Sequence, residues 1–219
     1  MAGDDQVLVV ETKVVEQIGL FRGLKFDVQP YLKAIFTAGV TKFMPRSLAE
    51  TNPDFKQIIP YVIMGCDGKF LSYVRGKRAG EKRLVGNRSI GIGGHINPVD
   101  DMPLFGDLLE TYLTAVAREV EEEVHVDAKH HERIVALLND DTNEVGKVHL
   151  GIVHYWNLDQ AKINRREQMI TQMDFMSLAE LKAAADTMET WSSLCVEHLE
   201  EIANNSNVGI EPQKLLMNR

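Results

Sequence analysis

Arg118-Glu119-Val120-Glu121-Glu122-Glu123-Val124 is the stretch on which the reading of this chain turns. It closes a longer segment, Asp107 to Val124, in which Leu109, Leu113, Val116, Val120 and Val124 recur every three or four residues. That spacing predicts one amphipathic helix. At about 100° per residue, Glu119, Glu122 and Glu123 fall within an arc of about 100° beside the apolar stripe, and Glu121 points away. Three carboxylates on one helical face repel one another. One reading is a solvated acidic face. The other is a site for a hard divalent cation such as Mg²⁺, which takes oxygen ligands and keeps waters and phosphate oxygens. Such an ion polarises a phosphoryl oxygen and helps to generate hydroxide, the chemistry of phosphoanhydride hydrolysis.

Upstream, Ile58-Ile59-Pro60-Tyr61-Val62-Ile63-Met64 reads as a buried strand, and Phe70 to Val74 as its hairpin partner. Asp67-Gly68 suits the turn between them, because Gly accepts positive φ. Downstream, Ile134 to Leu138 and Val148 to Trp156 are strand candidates joined by the polar loop Asn139 to Gly146. Ser177-Leu178-Ala179-Glu180 reads as a capping box, and a last amphipathic helix runs through Trp191, Leu194, Leu199 and Ile202. Strands and helices mix, so the class is α/β or α+β, which periodicity does not separate. Composition changes near residue 58. Before it lie the apolar run Val7 to Val10, a helix-like stretch from Tyr31 to Phe36, and a turn-rich piece with Pro45 and Pro53.

At 219 residues, the length fits one domain or one domain with an appendage. Lys plus Arg is 24 and Asp plus Glu is 32, so the net charge is 24 − 32 = −8, which speaks against binding a nucleic-acid polymer. No run of about 18 apolar residues predicts a membrane helix. The acidic start, Met1 to Asp5, lacks the features of a secretory signal, so a soluble, cytoplasmic protein is expected. Cys66 and Cys195 are too few and too far apart for a disulfide framework or a Cys-based zinc site. Within this acidic chain, residues 75–88 hold Arg75, Lys77, Arg78, Lys82, Arg83 and Arg88 against the single acid Glu81. They are either a solvated loop or an electropositive lip for an anionic ligand.

Glu110, seven residues, then Arg118-Glu119-Val120-Glu121-Glu122-Glu123-Val124-His125-Val126, with Gly93-Gly94 upstream, resembles the box of the Nudix hydrolase family. That box runs Gly, five residues, Glu, seven residues, then Arg-Glu-(aliphatic)-x-Glu-Glu-x-Gly-(aliphatic). The sequence departs from it twice. Between Gly94 and Glu110 lie fifteen residues instead of five, an insertion of ten that carries Asn97 to Pro103 and costs little in closure entropy. His125 stands where the box has a glycine, which would end the helix at positive φ.

The resemblance covers about Ile58 to Asn204 and implies a Nudix-type α/β/α sandwich with a mixed sheet over 58–206. Residues 1–57 are then a small N-terminal extension, serving to cover the site or to form a homodimer, and 207–219 a C-terminal tail. It implies a Mg²⁺- or Mn²⁺-dependent hydrolase of a diphosphate linkage in a nucleoside- or sugar-diphosphate substrate. Glu119, Glu122 and Glu123, with Gly94, match the metal site, and Glu119 or Glu122 orients or deprotonates water. Gly93, Glu110 and Arg118 match structural positions of the box. A further acid from a loop is expected, Glu144 first, with Asp140 and Asp141 as competitors. Arg75, Lys77 and Arg83 are the candidate phosphate contacts. His95 is either a hydrogen-bonding loop residue or a site residue.

Two other classes share such a fold. One is a sensor that binds a nucleotide or sugar ligand without turnover. The other is an isomerase of the isopentenyl diphosphate type, which needs a catalytic Cys; Cys66 lacks the surrounding pattern and reads as a buried hydrophobe. No proline occurs between Pro103 and Pro212, so the ADP-ribose signature is missing. The signatures of the dinucleoside polyphosphate and NADH groups are missing as well.

Overall fold

Ile58 to Met64 is an unbroken apolar run because both faces of its strand are covered. Val62 and Met64 enter one core with Leu150 and Ile152, whereas Tyr61 and Ile63 enter a second core with Val153 and Tyr155. The computed structural model describes residues 5–76, 85–100, 107–166, 170–205 and 209–217. Its first part forms β1 (Gln6–Glu11), α1 (Thr12–Gly19), β2 (Gly23–Lys25), α2 (Gln29–Ile35), β3 (Thr41–Pro45) and α3 (Arg46–Ala49). Then come β4 (Phe55–Cys66), β5 (Lys69–Arg75), β6 (Arg88–Ser89), β7 (Gly91–Ile92) and α4 (Leu108–Glu123). β8 (Val124–Val126), β9 (His130–Asn139), α5 (Glu144–Lys147), β10 (His149–Leu158), β11 (Ile163–Arg165) and β12 (Ile170–Ser177) follow. The rest is helical: α6 (Leu178–Ala183), α7 (Thr190–Glu197), α8 (Leu199–Asn205) and α9 (Pro212–Met217).

The main sheet runs β12-β5-β4-β10-β9-β2. β10 lies parallel to β4 and antiparallel to β9, so the sheet is mixed and the class is α+β. Leu109, Tyr112, Val116 and Val120 of α4 pack on one face, while Leu181, Cys195, Val196, Leu199 and Ile202 of the C-terminal helices pack on the other. Three layers result. Asp67 and Gly68 both adopt positive φ (49° and 74°), the geometry that matches the twist of a two-residue hairpin joining β4 to β5.

Residues 1–57 do not stand apart as an extension. β1 pairs antiparallel with β3 and with the start of β4, and β2 pairs with β9. Leu8, Val10, Tyr31 and Ile35 share a core with α4. The composition change near residue 58 therefore marks the entry into a strand covered on both faces, not a boundary between units.

Two helix ends also depart from expectation. α4 stops at Glu123 and runs straight into strand, with Val124 extended (φ −139°, ψ 156°). His125 lies inside β8, paired with Asn164, so no left-handed residue is needed there. Among the described residues, only Asp67 and Gln172 are non-glycines at positive φ. The last helix is two, α7 and α8, broken at His198. Leu199 lies five positions after Leu194, and on a straight helix that step swings the side chain about 140° off the face. The break returns Leu199 and Ile202 to the core.

Candidate active site

The site forms where the strand end Gly93-Gly94 meets α4. On one edge β4 pairs with β1 up to Gln57 and with β7 from Val62, and Pro60 sits between, a place where a missing N–H leaves no ladder bond unmade. Gly93 fills that gap so closely that a Cβ there would lie 2.0 Å from the Pro60 carbonyl oxygen. A Cβ on Gly94 would lie 2.1 Å from Oε2 of Glu119. The box helix thus lays one carboxylate on the backbone of the Gly-Gly pair, which only a residue without Cβ permits.

Asp107 caps α4 by accepting from the Leu109 N–H (2.9 Å). A polar chain then fixes the helix against the sheet: the Tyr112 hydroxyl meets His154 Nε2 (2.5 Å), and His154 Nδ1 meets Glu132 (2.7 Å). Burial pushes the Glu132 carboxyl up, but its bond to His154 and the nearby charges of His154 and His130 act together to hold it below the usual carboxylate range.

Arg118 is the hub of the site. Its Nε and Nη2 donate to the two oxygens of Asp100 (2.7 and 2.9 Å), and Nη2 also donates to the His95 carbonyl (2.9 Å). Nη1 reaches Glu119 (2.8 Å) and Glu122 (3.3 Å). Asp100 is buried and also accepts from the Asn97 N–H. Glu110, expected to brace the box, is exposed and makes no hydrogen bond or ion pair among the described residues. The bracing acid is Asp100, which follows Gly94 with five residues between, the spacing that the acid of the box has. The ten extra residues therefore fall after the acid and not before it. The sequence held this signal, obscured because the position is Asp and Glu110 keeps the second spacing.

Of the three box glutamates, Glu119 is buried enough that its pKa is pushed up, with Arg118 opposing. Glu122 is half exposed. Glu123 faces Arg75, with Nη1 at 4.0 Å. Two guanidinium groups thus lie against the carboxylate cluster. Among the described residues no three His, Cys, Asp or Glu side chains are gathered closely enough to hold one ion.

Two cavities meet at Gly94 and His95. One, of about 320 Å³, is polar and is lined by Glu119, Glu122 and Arg118 together with Asp5 and Arg46. The other, of about 180 Å³, has Tyr61, His149 and Trp191 as walls, with Arg75 and Glu189 beside them. Arg75 Nε donates to Glu189, so this expected phosphate contact does reach the cleft. Lys77 and Arg83 lie outside the described residues. His95 packs edge-on against His149 (5.8 Å between rings), and its buried Nε2 has no hydrogen-bond partner among the described residues. Burial first, then the charges of Arg46 and His149, hold its pKa down at about 3.

The loop acids do something other than expected. Glu144 points to solvent and pairs with Lys147 (2.6 Å), although its neighbours Asn143, Val145 and Gly146 line the aromatic cavity. Asp140 accepts from the Thr142 N–H and hydroxyl and from Asn143, which closes its own turn. Asp141 takes the ammonium of the buried Lys56 (2.9 Å). Cys66 is buried in the core and lines neither cavity, and burial raises its thiol pKa, so the isomerase chemistry finds no nucleophile there. Arg46, Asp5, His149, Glu189 and Trp191 are site-lining residues that sequence reasoning missed. No local spacing announces them; the topology of the sheet brings them in.

A Gly-Gly strand end under the first glutamate of an Arg-Glu-Val-Glu-Glu-Glu helix, within this three-layer fold, defines the class: the chain belongs to the Nudix hydrolases, enzymes of the pyrophosphohydrolase type. It is 37% identical over 164 residues to protein YmaB of Bacillus subtilis (strain 168), an alignment covering 72% of this chain and 77% of YmaB. Among solved structures it is similar to Tm1382, a candidate Nudix hydrolase, with a TM-score of 0.72 and 26% identity over 90% of this chain and 99% of that one. That coverage takes in most of residues 1–57 as well. DR0079 from Deinococcus radiodurans shares the fold, with a TM-score of 0.50 and 15% identity over 73% of this chain and 91% of that one. No family model matches the sequence.

Proposed function

We propose that the chain hydrolyses a diphosphate linkage in a nucleoside- or sugar-diphosphate substrate with the help of Mg²⁺ or Mn²⁺. The observation that carries this reading is the carboxylate of Glu119 laid on the backbone of Gly94 beside a polar cavity. Glu119, Glu122, Glu123 and the Gly94 carbonyl are hard oxygen donors, a set that fits either ion in kind, and they are the groups that would hold it. When bound, the ion supplies charge compensation for the phosphates and acidifies water. Arg118 holds Glu119 and Glu122 in place through its anchor on Asp100. Glu119, whose proton affinity burial raises, is suited to orient the attacking water and take its proton. Glu144, paired with Lys147 in solvent, is left out of this role. Arg75 lies between Glu123 and Glu189 and lines the aromatic cavity, where it meets a phosphate. The aromatic cavity takes the nucleoside or sugar.

A second reading, ligand binding without turnover, draws on the countercharge that Arg118 already gives to two of the three glutamates. One experiment separates the two. The purified chain is mixed with nucleoside, sugar and dinucleotide diphosphates in Mg²⁺ or Mn²⁺, and phosphate release is read after coupling to a phosphatase. Metal-dependent release that disappears in Glu122→Gln is the expected result. Silence across the panel, with binding still detected by calorimetry, would replace hydrolysis with sensing.

A further inference from the structure

The polar cavity has one wall that the box does not supply. β3 ends at Pro45, which pairs with Gln6, and the Arg46 N–H then donates to the Asp5 carbonyl (2.7 Å). This pairing seats Arg46 and Asp5 in the lining of the cavity that Glu119 and Glu122 also line. Arg118, the other guanidinium of the cavity, is spent on Asp100, the His95 carbonyl, Glu119 and Glu122. Arg46 is spent differently. Its Nε donates to Glu50 (2.7 Å), and among the described residues Nη1 and Nη2 have no hydrogen-bond partner. A guanidinium with one edge anchored and the other open presents two parallel donors, the arrangement that matches two oxygens of a phosphate. Its place in the same cavity as the carboxylates lets it meet an anion held there.

We propose that Arg46, from the segment before the box, is a phosphate-binding residue of this site and grips the diphosphate within the cavity that the glutamates line. This rests on the diphosphate reading above and adds to it the residue that sets affinity for the anionic group. Residues 1–57 then supply part of the binding surface.

The test is calorimetric titration of the full-length chain with inorganic pyrophosphate in Mg²⁺, for wild type, Arg46→Gln, Arg46→Lys and Glu50→Gln. Arg46→Gln should weaken binding about tenfold or more, the value of a charge-assisted hydrogen bond. Arg46→Lys should recover part of that loss by restoring the charge without the fork. Glu50→Gln, which removes the charge of the anchor but keeps an oxygen to accept from Nε, should stay within about twofold of wild type. With any substrate found, Arg46→Gln should raise KM more than it lowers kcat. Wild-type affinity in Arg46→Gln overturns the proposal and leaves the hydrolase reading standing. Equal losses in Arg46→Gln and Glu50→Gln also overturn it, because the effect then belongs to the shape of α3. Failure of the wild type to bind pyrophosphate overturns this proposal and the diphosphate reading together.

Discussion

At Asp100 one buried carboxylate takes two bonds from Arg118 and one from the backbone of Asn97. Removing its charge strands a guanidinium whose other acids, Glu119 and Glu122, belong to the site. Asp100→Asn should cost about 3 kcal/mol, the loss expected when one partner of a buried pair is removed. Glu110→Gln should change stability by no more than about 0.5 kcal/mol, as exposed substitutions usually do. Urea midpoints of the two variants check this; equal shifts would return the bracing role to Glu110. His95 gives a pH signature. Unfolded, it takes up a proton near 6.5; folded, it resists until about 3. Between these values the unfolded chain binds more protons, so stability rises with pH and falls on acidification through that window. The loss is at most about 1.4 kcal/mol per pH unit. His95→Gln should flatten the slope between pH 6.5 and 4 in thermal melts, and an unchanged slope would show that the ring is protonated in the folded chain. Comparing the two proteins cancels Glu119, whose raised pKa acts in the opposite sense.

The elements differ in how far the sequence announces them. α4, the β4–β5 hairpin and the Ser177–Glu180 capping box were legible because each depends on residues close in sequence: a stripe, a turn pair, a cap. The end of α4 was misjudged because a motif glycine suggests a left-handed turn, whereas this chain leaves the helix in extended form. His125→Gly should therefore destabilise by roughly 0.5–1 kcal/mol, since it places glycine inside β8. A gain in denaturation midpoint would mean that the helix end does strain against its side chain. The Asp100–Arg118 pair was hidden by the seventeen residues between its members, which stretch the spacing of the box. Arg46 was hidden by topology: its neighbours are Asp5, forty-one residues earlier, and the Gly94–His95 strand end, nearly fifty later.

For the molecule as a whole, the weaving of β1, β2 and β3 into the main sheet means that residues 1–57 are part of the folding unit. A fragment beginning at Ile58 loses Leu8, Val10, Tyr31 and Ile35 from the core shared with α4, at roughly 2–5 kcal/mol for each large side chain removed. It should show no cooperative thermal transition by circular dichroism; a sharp one would restore 1–57 as an appendage. The parallel pairing of β4 with β10 has a further meaning when the chain is considered in time. Gln57 emerges from the ribosome ninety-two residues before His149, its partner, and the whole box helix is made in between. Until β10 arrives, β4 presents an apolar strand with an unfilled edge, the kind of surface on which nascent chains associate. The glutamates of α4 exist early, but the platform beneath them closes late, so synthesis halted before Leu158 yields a sticky precursor instead of a partial enzyme.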